Sequence, residues 1–189
     1  MGSKPTINPA VSFVVKFLGL FALLYGFYLG YLGITAKGGK LYSAFLDHHL
    51  NFIGWFRLVL IKTSAAILNV FGFETKTNFY QMLVVGHNTI YIGYDCLGFG
   101  VMCFFAAFVI AYPATLKSKI YFGSIGLVVI QLLNICRFVL LSLYWHPVKN
   151  VYISDHHTIF NIVVYVIITV SLYFYTRYQD KLLAKNAAN

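Results

Sequence analysis

Three side chains able to do covalent chemistry lie where apolar runs should meet the outer water layer: Cys96 in Tyr94-Asp95-Cys96-Leu97-Gly98, Arg137 in Asn134-Ile135-Cys136-Arg137, and His157 in Asp155-His156-His157-Thr158. A thiol attacks carbonyl carbon as its thiolate, a form that a helix N-terminus or a nearby cation favours. Neutral imidazole takes up and returns protons near working pH, and Asp155 or Asp95 could hold its second ring nitrogen. His156 has the same claim as its neighbour. An arginine inside an apolar run is costly and marks a bundle interior or a wet cavity, so Arg137 calls for a functional explanation. Together the three side chains describe nucleophilic catalysis by a thiol with acid and base assistance.

Each residue also has a plainer reading. Cys96 is a small apolar residue at a helix start, and either histidine could be an interfacial polar residue at the start of the last helix. Cys103 and Cys136 read as packing residues, and three cysteines without an even outer set argue against a disulfide framework. His48, His49, His87 and His146 read as surface residues, the first two in a loop on the inner side.

The elements that must position these groups follow from composition. Hydrophobic residues make up 60% and charged residues 10% of the 189-residue chain, and the mean hydropathy is +0.76. Those values exclude an ordinary soluble domain and describe a polytopic membrane protein, all α, folded as one small helical bundle over residues 1–189. The net charge of +9 does not indicate nucleic-acid binding, because Lys and Arg sit mainly in short loops and at the C-terminal end, as membrane anchors do.

About five spans are expected, over residues 10–35, 50–73, 97–113, 120–145 and 158–176. The first is too long for the apolar core of a cleaved signal peptide and contains Lys16, so it reads as an uncleaved anchor. The start Met1-Gly2-Ser3-Lys4-Pro5-Thr6 fits a loose myristoylation pattern that a polytopic chain does not need. Arg57 and Lys62 interrupt the second run. It reads either as a span whose cations snorkel or as an interfacial amphipathic helix over residues 41–60, and the span is the favoured reading. Between Phe73 and Asp95 the period changes. Met82, Val84 and Val85, then the turn Gly86-His87-Asn88, then Ile90 and Ile92 predict a β-hairpin, which belongs outside the lipid, directly before Cys96.

Lys117 and Lys119, and Arg177, Lys181 and Lys185, put the loop between the third and fourth spans and the C-terminus in the cytoplasm by the positive-inside rule. Cys96 and His157 then lie on the outer face. Alternation through five spans places Lys37 and Lys40 inside and the N-terminus outside. Arg137 precedes Trp145 by eight residues, or ~12 Å of helix, within reach of the other two groups. Gln131, Asn134 and Arg137 recur every third residue and should form one polar stripe facing the interior.

The ordered set Cys-x-Gly, Asn-x-x-Arg and His-x-x-x-small, each at the outer end of a span, resembles the exosortase and archaeosortase family of membrane cysteine protease-transpeptidases over about residues 73–176. Leu97 stands where that family has a small residue and Asn161 where Gly is common, and the alignment favours His157 over His156. The resemblance implies an enzyme of the plasma membrane that cleaves membrane-anchored proteins at a C-terminal sorting signal. Cys96 would be the nucleophile, Arg137 the oxyanion stabiliser and His157 the acid and base, and no metal or organic cofactor is required. Two other classes fit the same residues. His87, His146, His156, His157 and Cys96 could ligate zinc or copper on the outer face, although no ligand spacing fixes such a site. A non-catalytic assembly or transport subunit could hold an anion or lipid headgroup around Arg137.

Overall fold

The computed structural model describes residues 8–38, 41–144 and 156–187, with side chains throughout except at 156–159 and 186–187. Six helices occur among them: α1 (Pro9–Thr35), α2 (Ala44–Leu50), α3 (Phe52–Val70), α4 (Phe99–Ala111), α5 (Leu116–Tyr144) and α6 (His156–Ala187). Counting the 3-10 turn Tyr94–Leu97 together with α4, five helical segments are long and apolar enough to cross a membrane. The chain is a multi-pass membrane protein of helical architecture.

The helix ends have local causes. Asn8 accepts a hydrogen bond from the Ala10 amide, and Pro9 opens α1, where its missing N–H costs nothing. Asn51 ends α2 and caps α3, its Oδ1 accepting from the Gly54 amide at 2.7 Å. Tyr112 leaves α4 with an extended backbone, as the residue before Pro113 must.

The expected hairpin is present and larger than expected. β2 (Gln81–Val84) pairs with β3 (Thr89–Tyr91) around the turn at Gly86, and a further strand, β1 (Thr75–Thr77), adds to the other edge of β2. All pairs are antiparallel. Met82, Val84 and Ile90 bury one face of this sheet against α3 and α5.

α1 lies antiparallel to α4 through a ladder of rings. Phe13 meets Phe108 and Tyr112, Phe17 meets Phe104, and Tyr28 stacks on Phe99 at 4.7 Å. Phe13, Phe17, Phe21 and Tyr25 recur every fourth residue, so one face of α1 presents a continuous aromatic ridge. At its lower end α4 is joined to α6 by Tyr112, which donates to Asp180 and to the Thr176 carbonyl, and α5 is joined to α6 by Gln179 donating to Ser118. The start of α1, the end of α4, the start of α5 and the end of α6 therefore share one end of the bundle.

That arrangement corrects the strict alternation expected from the loop charges. The first turn of α1 lies at the same end as Lys117, Lys119 and Arg177, whereas Lys37, His48 and His49 follow α1 at the opposite end. The reason is α3. Its N-terminus packs beside Tyr31 and Phe99, and its C-terminus packs on the sheet, whose turn bonds the last carbonyls of α5 through Asn88 N–H to Ser142 and His87 to Leu143. α3 thus rises beside the second half of α5 and does not return past α4. The short α2 and the break at Asn51 combine the two readings of residues 41–73, a separate small helix followed by a long apolar one.

Two apolar clusters result. One joins α3, the sheet, Cys96, Leu97 and Phe138; the other joins α4, α5 and α6 through Phe105, Ile130, Val164 and Leu172. In the second cluster Phe105 rests on Gly126, where a β-carbon would come within 2.1 Å of its ring. Small residues permit this approach of helices in lipid, where packing rather than water exclusion holds them. α5, about 43 Å long at 1.5 Å per residue over its 29 residues, belongs to both clusters. Asn134 and Arg137 occupy the stretch between Ile130 and Phe138, where the clusters meet.

Candidate functional site

The site is built on the turn that carries Cys96. The Cys96 amide donates to the Gly93 carbonyl at 3.2 Å, closing the 3-10 turn, and Gly98 then takes a left-handed conformation with φ +75° before α4 begins. Only glycine enters that region cheaply. Space is tight there as well, because a β-carbon on Gly98 would lie 3.0 Å from Nδ2 of Asn134, which would have to shift. The glycine of the Cys-x-Gly motif and the asparagine of the Asn-x-x-Arg motif are thus in direct contact.

α5 supplies the opposing polar stripe, facing inward as its spacing predicts. Gln131 donates to the Leu97 carbonyl at 3.4 Å and to the Met102 sulfur at 2.9 Å, and Asn134 donates to Gln131 Oε1 at 3.5 Å. Asn134 and Arg137 are 5% and 4% exposed, with Arg137 one turn beyond Asn134. The Arg137 guanidinium lies 5.1 Å from the Phe160 ring centroid, so the beginning of α6 is packed against the arginine. The backbone of His157 lies in the first turn of that helix, three residues before Phe160, while its side chain is outside the described residues, as are those of His156 and His146.

Between these elements lies a cavity of about 380 Å³. Its polar wall is Asp95, Asn134, Arg137 and Asn161, and its apolar walls come from the rings of Phe21, Tyr25, Tyr28 and Phe104 with Val164. The arrangement offers a cation and amides to an anionic or carbonyl oxygen, next to an aromatic slot for an apolar chain. Cys96 is 8% exposed and packs with Leu97 and Phe138 in the first cluster. Its neighbours Tyr94, Asp95 and Gly98 line the cavity, and Cys96 is not among the lining residues. All three cysteines are free thiols.

Asn161, noted in the sequence only as a departure from the motif pattern, is a polar wall of the cavity. Arg57, read as a snorkelling cation, is instead among the most deeply buried side chains. A metal centre would draw partly on His146, His156 and His157, whose side chains are not described; among the described residues no three histidines, cysteines or carboxylates come together as ligands. The chain matches no family model, no curated protein and no solved structure.

Proposed function

We propose that the chain is a membrane-embedded cysteine protease-transpeptidase of the kind its motifs resemble. The observation that carries this reading is the contact of Gly98 with Asn134, which brings the Cys96 turn and the Arg137 helix to one cavity that the start of α6 also lines. In this mechanism the Cys96 thiolate attacks the scissile carbonyl of a membrane-anchored substrate. Arg137 stabilises the resulting oxyanion, and His157 protonates the leaving amine as the carbon–nitrogen bond breaks. A thioester on Cys96 remains. An amine, a hydroxyl or water then attacks it, His157 accepts the nucleophile's proton, and the carbon–sulfur bond breaks to regenerate the Cys96 thiolate. Docking in the plane of the membrane supplies proximity without a soluble recognition domain. By the positive-inside rule, the lysines and arginines at the α4–α5 connection and the end of α6 support a cytoplasmic position for that end and an outer position for the Cys96 end, in the plasma membrane where the resembled family works.

A second reading is favoured by one observation, that Asn134, Arg137 and Asn161 line the cavity while Cys96 does not. On that reading the cavity binds an anion or lipid headgroup and the thiol is a packing residue. Comparing host-membrane proteins for C-terminal truncations in cells carrying the unaltered chain, Cys96→Ala or Arg137→Ala separates the two. The thiol reading expects truncations that vanish in both variants. The binding reading expects none in any background, with lipid co-purification reduced by Arg137→Ala alone.

A further inference from the structure

Arg57 lies on the buried face of α3 with Ile53, Leu60, Ile61 and Ser64, and is 2% exposed. Its Nε and Nη1 meet no hydrogen-bond partner among the described residues. Its guanidinium lies over two rings, 4.1 Å from the centroid of Tyr80 and 4.8 Å from that of Tyr94. Tyr80 stacks on Tyr91 of β3, and its carbonyl accepts the Ile92 amide at 2.8 Å. Tyr94 opens the turn that carries Cys96, and its carbonyl accepts a bond from the Tyr28 hydroxyl at 3.4 Å. Arg57 therefore joins α3, the sheet and the Cys96 turn at one point.

A position needed only for packing would hold an aliphatic side chain like its neighbours on the same face, because a desolvated cation with unmatched donors is costly. The two tyrosine faces offset part of that cost. We propose that Arg57 is a positioning residue for Cys96: in contact with the rings of both Tyr80 and Tyr94, it clamps the turn Tyr94–Leu97 against the sheet and keeps the thiol buried beside the cavity. The inference takes from the thiol reading only the use made of Cys96, and its test requires no turnover.

In a chain with Cys103→Ala and Cys136→Ala, Cys96 is the sole thiol, and its modification by impermeant anionic and cationic methanethiosulfonates is timed in membranes. Arg57→Met, which keeps the volume and removes the charge, speeds modification about tenfold, the change that ~1.4 kcal/mol makes in an opening equilibrium. Thermal stability is unchanged or higher, because an apolar side chain suits the site. Tyr94→Leu speeds modification similarly while Tyr94→Phe, which keeps the ring, does not, and Arg57→Lys falls between Arg57→Met and the parent. The preference for the anionic reagent drops in Arg57→Met and persists in Tyr94→Leu. Rates for Arg57→Met and Tyr94→Leu within about twofold of the parent, or a Tyr94→Phe rate equal to that of Tyr94→Leu, would overturn the clamp. Should Arg57→Met fail to accumulate, the two Tyr94 variants decide alone. An inert enzyme with the expected labelling pattern would refute the proposed activity and leave the clamp standing.

Discussion

Replacing Gly98 by alanine tests the joint on which the site depends. A non-glycine residue held at φ +75° costs ~1–2 kcal/mol. The new methyl would also stand 3.0 Å from Asn134 Nδ2, so the Asn134 amide would have to shift toward the cavity it lines and strain its bond to Gln131. Overpacking of that kind adds roughly 1–3 kcal/mol, so Gly98→Ala should lose about 2 kcal/mol or more in total. The two parts can be separated by unfolding Gly98→Ala, Asn134→Ala and the double variant in detergent. Asn134→Ala removes the atom that the methyl meets, so in that background Gly98→Ala retains only the backbone penalty. The cycle should then show a coupling of about 1 kcal/mol, well within the range for residues in contact. Strict additivity, or a Gly98→Ala variant as stable as its parent, would refute the account of this joint.

Other consequences follow from single contacts. Gly126→Ala places a methyl 2.1 Å from the Phe105 ring and should cost about 1–3 kcal/mol in thermal unfolding, partly recovered by Phe105→Leu; an undiminished cost in the double variant would contradict the packing. Tyr112→Phe removes the bonds to Asp180 and the Thr176 carbonyl and should lower stability by about 1 kcal/mol, with faster amide exchange confined to the last turns of α6. Bonds from Tyr42 and Asn51 hold the Asp47 carboxyl below its ordinary range. Because the folded value is the lower one, this contribution is present above the ordinary carboxylate value and disappears as pH falls through the lowered one, at acid pH below ~4. The Asn51 cap should loosen in that window, so the Gly54 amide resonance should shift there in the unaltered chain and stay flat in Asp47→Asn.

The helical class, the long apolar segments and the inward stripe of Gln131, Asn134 and Arg137 were legible because membrane helices declare themselves by length and a threefold spacing declares a face. The β2–β3 hairpin was legible from its alternation. β1 was not, since Thr75-Lys76-Thr77 carries no apolar alternation and is recruited by main-chain pairing to Met82, Leu83 and Val84. The direction of α1 was misread because α3 was counted as one crossing in a strict alternation. Its true course depends on the sheet that receives it and the bonds from Asn88 and His87 to the end of α5, long-range contacts with no local signal. Arg57 was misread for a related reason. A cation in an apolar run reads as snorkelling until the rings of Tyr80 and Tyr94, 23 and 37 residues later in the chain, are brought within 4.1 and 4.8 Å of it. For the candidate site, the Cys-x-Gly and Asn-x-x-Arg spacing pointed to two segments that meet, whereas the side of the turn on which the thiol rests depends on packing.

The most direct measurement is intact-mass analysis of the chain isolated under mild conditions from membranes that contain its substrates, before and after neutral hydroxylamine. The account predicts a hydroxylamine-sensitive acyl adduct mapping to Cys96, lost in Cys96→Ala and depleted in Arg137→Ala, where attack on the carbonyl loses its oxyanion partner. A Cys96 that stays unmodified in the unaltered chain, while membrane proteins are processed identically with and without its thiol, would contradict the central claim.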